Sequence, residues 1–164
     1  MKNRIVRVLL VLTFVFTWLG FHSNPVQAAG CSGSACTGKD PSAMGCSAST
    51  AGALAYISDN YGVILGTVET RVSGTSSCNA KWARVYNTSG IYQWVAADLY
   101  CGTPKVSCQF QRSSAKIASS STVGIYTPMQ AYASTSTKSC GVVRGDPGPI
   151  TSVPMGTNNC TSNN

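Results

Sequence analysis

The sequence predicts a mostly β fold, a small disulfide-stapled β-sandwich or barrel-like domain with long loops. Three observations predict it. Short β-branched segments recur at intervals of about ten residues, each closed by a cluster of Gly, Ser, Asn or Pro, as in all-β sandwiches and barrels. Eight cysteines, an even number, are spread along the chain, the usage of exported domains that cross-link a modest core. The N-terminal residues carry the pattern of an export signal, which places those cysteines in an oxidising compartment.

The signal pattern begins with Lys2, Arg4 and Arg7, followed by an apolar run from Val8 to Phe21. A short polar stretch then leads to Val26-Gln27-Ala28-Ala29. Small side chains at Val26 and Ala28 fit the shallow pockets of a signal peptidase, so cleavage is expected after Ala28. A membrane-spanning helix needs about 20 apolar residues, and the run is shorter. Lipidation at Cys31 would want a larger aliphatic residue than Ala28 three places before it, directly after the apolar run. The expected organisation is therefore a signal peptide at 1–28 and one disulfide-rich β domain at 29–164, irregular from about residue 145. Cleavage removes His22, the single histidine, and three of the twelve basic residues, leaving nine against five acidic side chains, a net charge of +4.

Along the mature chain, Gly30 to Thr50 is too dense in Gly, Ser and Cys to hold a long helix and reads as a cross-linked loop. Ser49 to Asp59 suits either a strand or a short helix. Val63 to Ser73 is the clearest strand, with Ile64, Val68 and Val72 on one face and Thr67, Glu69 and Arg71 on the other. Lys81 to Tyr86 follows after a Gly-Thr-Ser-Ser break, with Trp82 inside or packed on the edge. Ile91 to Tyr100 places Ile91, Gln93, Val95, Ala97 and Leu99 opposite Tyr92, Trp94, Ala96, Asp98 and Tyr100. Its Ile91, Val95, Leu99 spacing would also suit a helix. Val106 to Arg112 and Val123 to Tyr126 are further strand candidates, separated by the Ser-rich stretch 113–121. The run 133–139 is nearly all Ser, Thr and Ala, and the Pro- and Gly-rich tail from Gly145 is expected to be held only through Cys160.

Cys31, Cys36, Cys46, Cys78, Cys101, Cys108, Cys140 and Cys160 are read as disulfide-bonded. Four bridges allow 105 connectivities, and spacing does not choose among them, although Cys101 and Cys108 are close enough to clip a loop around Gly102-Thr103-Pro104. A zinc site at Cys31, Cys36 and Cys46 is disfavoured, because the spacing lacks paired knuckles and no histidine is at hand. No metal or other cofactor is expected.

Without histidine, the mature chain has no Ser-His-Asp or Cys-His mechanism, and oxidised cysteines offer no thiolate nucleophile. The remaining acids are Asp40, Asp59, Glu69, Asp98 and Asp146. Asp40, in Gly38-Lys39-Asp40-Pro41, is placed to accept hydrogen bonds from nearby backbone N–H groups and fix its turn, with a ligand contact as the alternative. Tyr92, Trp94 and Tyr100 form an aromatic stripe whose apolar bodies and polar tips suit a binding platform, or equally cross-strand packing. Asp40, Tyr92, Trp94 and Tyr100 are the ligand-binding candidates. The dispersed positive charge, with no basic run, does not indicate nucleic-acid binding. It is compatible with weak attraction to anionic wall polymers or lipid headgroups.

Cys31-x4-Cys36-x-Gly38-Lys39-Asp40-Pro41-x4-Cys46, the segment from Val68 to Ser73 leading to Cys78, Trp82-Ala83-Arg84, and Tyr126-Thr127-Pro128-Met129 before Cys140 make one set of motifs spanning most of the mature chain. By these the mature chain resembles the YjfA-like family of secreted bacterial proteins, a domain of unknown function. Cys101, Cys108 and Cys160 are less typical of it. The resemblance implies an exported module, one that also forms the extracytoplasmic end of some membrane-bound regulators, and it carries over no activity. The resulting expectation is a secreted, non-catalytic module that binds an envelope or extracellular polymer or a protein partner. Its partners would be a cell-wall polymer or surface protein, without nucleic acid and without stable membrane insertion after cleavage. A small secreted hydrolase using a carboxylate pair and a secreted inhibitor or antagonist are the alternatives.

Overall fold

Thr75 and Cys78 face one another across the two-residue turn Ser76-Ser77, and from there ten successive residue pairs run without interruption to Gly66 opposite Asn87. This hairpin joins β2 (Ile64–Thr75) to β3 (Cys78–Asn87) and forms the spine of the first sheet. The computed structural model describes residues 30–46, 50–101, 111–132, 135–145, 148–153 and 159–162. The expected signal peptide, the segment 106–110, Cys108 with its expected clip to Cys101, and Asp146 lie outside the described residues.

β1 (Thr50–Ser58) pairs antiparallel with β2, so the segment open to either reading is a strand. β6 (Gly124–Tyr126) and β7 (Gln130–Ala131) pair in turn with the other edge of β3. The second sheet has β4 (Gln93–Cys101) at its centre, between β5 (Gln111–Ile117) and β8 (Thr137–Arg144), all antiparallel. The strand order is β1-β2-β3-β6 in one sheet, with β7 also on β3, and β5-β4-β8 in the other. The architecture is thus two antiparallel sheets and not a closed barrel.

Period-two alternation decides what lies between the sheets. Ile57, Val68, Ala83 and Val85 from the first sheet meet Val95, Ala97, Leu99 and Val143 from the second in one buried cluster. β4 divides as its sequence predicts, with Val95, Ala97 and Leu99 inward and Trp94, Ala96, Asp98 and Tyr100 outward. Gly141 permits the close approach of the sheets, because a Cβ there would lie 2.6 Å from Ile57 Cδ1 and 2.8 Å from Val85 Cγ2. Beside this apolar cluster the buried hydroxyls of Thr70, Ser139 and Thr161 bond to one another, Thr70 at 2.7 Å from Ser139 and 3.2 Å from Thr161.

Two segments differ from the sequence reading. The Ser-rich stretch expected to separate strands supplies most of β5, and the small polar run at 133–139 contains the start of β8. β5 is an edge strand laddered to β4 over seven residue pairs. Backbone pairing of that length outweighs the weak strand preference of serine. The tail also proves to be held by more than Cys160. Ile150 and Val153 are buried against Ala96, Cys140 and Cys160 on the outer face of the second sheet, and Thr161 N–H donates to Ser139 O at 2.8 Å.

The outer face of the first sheet is covered at one end by the loop 30–46. Cys31, Cys36, Cys46, Cys78, Ala80, Trp82, Met129 and Ala131 form a second core there, with Met44 and Tyr126 against it. A 3-10 turn at Gly33–Cys36 and the bridges Cys31–Cys36 and Cys46–Cys78 shape this loop, while Cys140–Cys160 ties the tail to β8.

Candidate functional site

The four ligand-binding candidates are not gathered in one place. Asp40 lies in the loop over the first sheet, where its Oδ1 accepts Ser42 N–H at 2.7 Å and Ala43 N–H at 2.9 Å. Those are the bonds expected of a turn-fixing carboxylate. Trp94 and Tyr100 face outward from the second sheet, on the opposite side of the sandwich, and pack half-buried against the cluster of Ala96, Cys140, Ile150, Val153 and Cys160. Tyr92 precedes β4 and is exposed, with Lys116 Nζ 5.6 Å from the centre of its ring. The stripe is therefore continuous in sequence but divided in space, with Trp94 and Tyr100 packed against that cluster and Tyr92 exposed.

The described carboxylates each hold a structural partner. Asp98, fully buried, accepts Arg112 Nε at 2.8 Å and Arg112 Nη2 at 3.0 Å. Tyr100 Oη lies 3.4 Å from Asp98 and donates to Val153 O at 3.2 Å, and Arg112 also donates to Thr151 O. Burial, then the Asp98 charge, raises the Tyr100 phenol above its ordinary pKa, and the bond to Asp98 raises that of Arg112. Glu69 pairs with Arg71 at 3.1 Å on the outer face of the first sheet. Burial, then Glu69, raises the pKa of Tyr86, over whose ring Arg84 lies at 4.9 Å. Asp59 Oδ1 accepts the N–H groups of Tyr61 and Val63, both at 2.9 Å.

Sulfur is concentrated at the covered end of the first sheet. Cys31, Cys46 and Cys78 bring their sulfur atoms within 4.8 Å of one another, and Cys78 Sγ lies 3.9 Å from Met129 Sδ. All three cysteines are committed to bridges, so these sulfurs are not thiolate ligands.

At the other end of the sandwich, three neighbouring loops present apolar side chains to solvent. The β1–β2 turn displays Tyr61 (93 % exposed), Val63 and Ile64, the β3–β4 loop Ile91 and Tyr92, and the β5–β6 loop Val123, the last five about half to two-thirds exposed. Each loop is pinned by one polar side chain. Asp59 closes the first, with Gly62 at φ 82°, where a left-handed residue is needed. Asn87, wholly buried, donates from Nδ2 to Ile91 O at 2.8 Å and Ile117 O at 3.0 Å, and its Oδ1 accepts Ser89 N–H at 3.1 Å. Ser120 Oγ accepts the N–H groups of Thr122 and Val123. The loops are also laced together, by Thr88 N–H to Leu65 O at 2.9 Å, Ser120 N–H to Asn87 O at 2.6 Å and Gly90 N–H to Ser119 Oγ at 3.0 Å.

Sequence reasoning missed Tyr61, Val63, Ile64, Ile91 and Val123 as a site. The available signal was apolar residues standing in or beside turns such as Asp59-Asn60-Tyr61-Gly62, where polar ones are usual. Exposed apolar side chains on neighbouring loops held by internal hydrogen bonds are the kind of surface that recognition uses. Compared with protein-family models, curated proteins and solved structures, the chain matches none.

Proposed function

We propose that the protein is an exported, non-catalytic binding module that engages an envelope or extracellular partner through its loop end. One observation carries this reading: six exposed apolar side chains stand on three loops already fixed by internal hydrogen bonds, so binding would cost little ordering of the chain. The three bridges among the described residues are compatible with an extracellular location, and the resemblance to the YjfA-like family points the same way. Among the described residues no helix is long and apolar enough to cross a membrane.

The test is retention of the oxidised protein on purified cell wall, on membrane lipid vesicles or on culture-supernatant proteins, with Tyr61→Ser and Ile91→Ser beside it. The wild type is expected to be retained and the variants to wash through. A wild type that stays in the wash from all three would overturn the reading. Export itself predicts an intact mass beginning at Ala29, within a residue or two. Retention of Met1, or a lipid adduct on Cys31, would defeat it.

A further inference from the structure

We propose that the partner of the loop end is an anionic lipid surface, which the three loops dock against peripherally and reversibly. This rests on the binding-module reading and names its ligand. Val63, Ile64, Ile91 and Val123 are aliphatic, offering neither the flat stacking surface nor the hydrogen bonds that sugar recognition uses. They suit shallow burial at the boundary between headgroups and acyl chains. Tyr61 and Tyr92, apolar in body and polar at the tip, are the side chains that settle at headgroup depth.

The charge at this end has the matching sign. Lys116 and Arg144 both pair across the sheet with Trp94, at the end of β4 next to the loops. Lys116 reaches over the Tyr92 ring, and Arg144 is exposed. The acid among the described residues of these loops, Asp59, turns its Oδ1 to the backbone N–H groups of its own turn. An apolar tip bordered by cations complements a bilayer whose surface is negative, where each lysine or arginine near the headgroups strengthens binding by about fivefold. A neutral apolar protein patch would gain nothing from those cations.

The experiment is co-sedimentation of the oxidised protein with vesicles of phosphatidylcholine alone or mixed with phosphatidylglycerol. Wild type is expected to sediment with the mixed vesicles, to stay in solution with the neutral ones, and to be released by salt as the surface charge is screened. Tyr61→Ser and Ile91→Ser, exposed and outside any core, should reduce sedimentation. Arg144→Gln should weaken it by about fivefold. Lys138→Gln removes the same charge at the opposite end of the sheet, beside Tyr100, and should leave binding unchanged. Equal binding to both vesicle types, loop variants that sediment like wild type, or equal losses from Arg144→Gln and Lys138→Gln would each overturn the proposal. Retention on wall or supernatant protein that the loop variants lose, without vesicle binding, would sink the lipid assignment and keep the binding module. Absence of binding in every assay would sink both.

Discussion

Removing either half of the Asp98–Arg112 pair should destabilise the protein unequally, and the inequality follows from burial. Asp98 is 0 % exposed, whereas the Arg112 side chain is 34 % exposed. Arg112→Met strands a dry carboxylate with only the Tyr100 hydroxyl nearby, and breaking a buried pair in this way costs about 3–5 kcal/mol. It also withdraws the donor to Thr151 O that holds the tail. Asp98→Asn leaves a cation that water already reaches, and the amide oxygen can still accept one N–H, so its cost should be nearer about 1–2 kcal/mol. Against a reserve of about 5–15 kcal/mol, the first change is severe and the second moderate. Equilibrium urea unfolding of the oxidised protein would read both. With a slope of about 1–3 kcal/mol per molar, Arg112→Met should lower the midpoint by about 1 M or more. The double change Asp98→Leu with Arg112→Met should recover part of the loss. The reasoning is refuted if Asp98→Asn proves the costlier single change, or if both fall within about 0.5 kcal/mol of wild type, the range of ordinary surface substitutions.

Loop length predicts the ranking of the bridges: separations of 32, 20 and 5 residues correspond to about 3.7, 3.3 and 2.1 kcal/mol for Cys46–Cys78, Cys140–Cys160 and Cys31–Cys36. Paired Ser replacements followed by thermal unfolding should reproduce that order, with the first two close together because the tail is packed and not loose. Ultraviolet titration should find Tyr86 and Tyr100 ionising above the ordinary phenol range. The fold keeps those two protons where the unfolded chain sheds them, so their contribution to stability is full below about pH 10 and declines above it. Lys81 works in the opposite sense, since burial lowers its pKa from 10.5. Stability linked to it should rise with pH through the window between its folded value and 10.5, and Lys81→Met should abolish that rise. Gly141→Ala should overpack the space between the sheets by about 1–3 kcal/mol, while Gly74→Ala, with nothing within 4 Å of the added methyl, should leave the melting temperature nearly unchanged.

The sandwich was legible wherever the sequence alternates. β2 has one apolar face and one polar face, β4 alternates between an aliphatic inner face and an outer face of Trp94, Asp98 and Tyr100, and the sides expected for Val68, Glu69, Val95 and Tyr100 are those observed. Turn chemistry was equally plain at Asp40, whose carboxylate does what a short acceptor before proline does in a loop. β5 and the start of β8 were not legible, because Ser113, Ser114 and Ser139 have no apolar periodicity and are held by pairing to strands far away in sequence. The spatial arrangement of the site candidates was not legible for a related reason. Tyr92, Trp94 and Tyr100 share a strand face on paper, but nothing local announces that Ile150 and Val153 fold back onto that face and leave Tyr92 outside the cluster. Nor does any local pattern bring Tyr61, Ile91 and Val123 together, since each belongs to a different loop and only the register between strands makes them neighbours.

The sulfur cluster beneath the loop 30–46 has a consequence for how the chain is cross-linked. Four cysteines can be joined in three ways, and with three of these sulfurs within 4.8 Å of one another, proximity alone does not select the native way. The selection falls to the backbone. The 3-10 turn delivers Cys36 back to Cys31, and the turn from Pro41 to Cys46, closed by Cys46 N–H to Pro41 O at 2.8 Å and capped by Asp40, aims Cys46 at Cys78. A mispaired isomer would have the same mass and the same count of oxidised sulfurs as the native protein, so neither quantity certifies the product. Asp40, exposed and remote from the loop end, thus serves the pairing of sulfurs it does not touch, by fixing the turn that carries Cys46 toward Cys78.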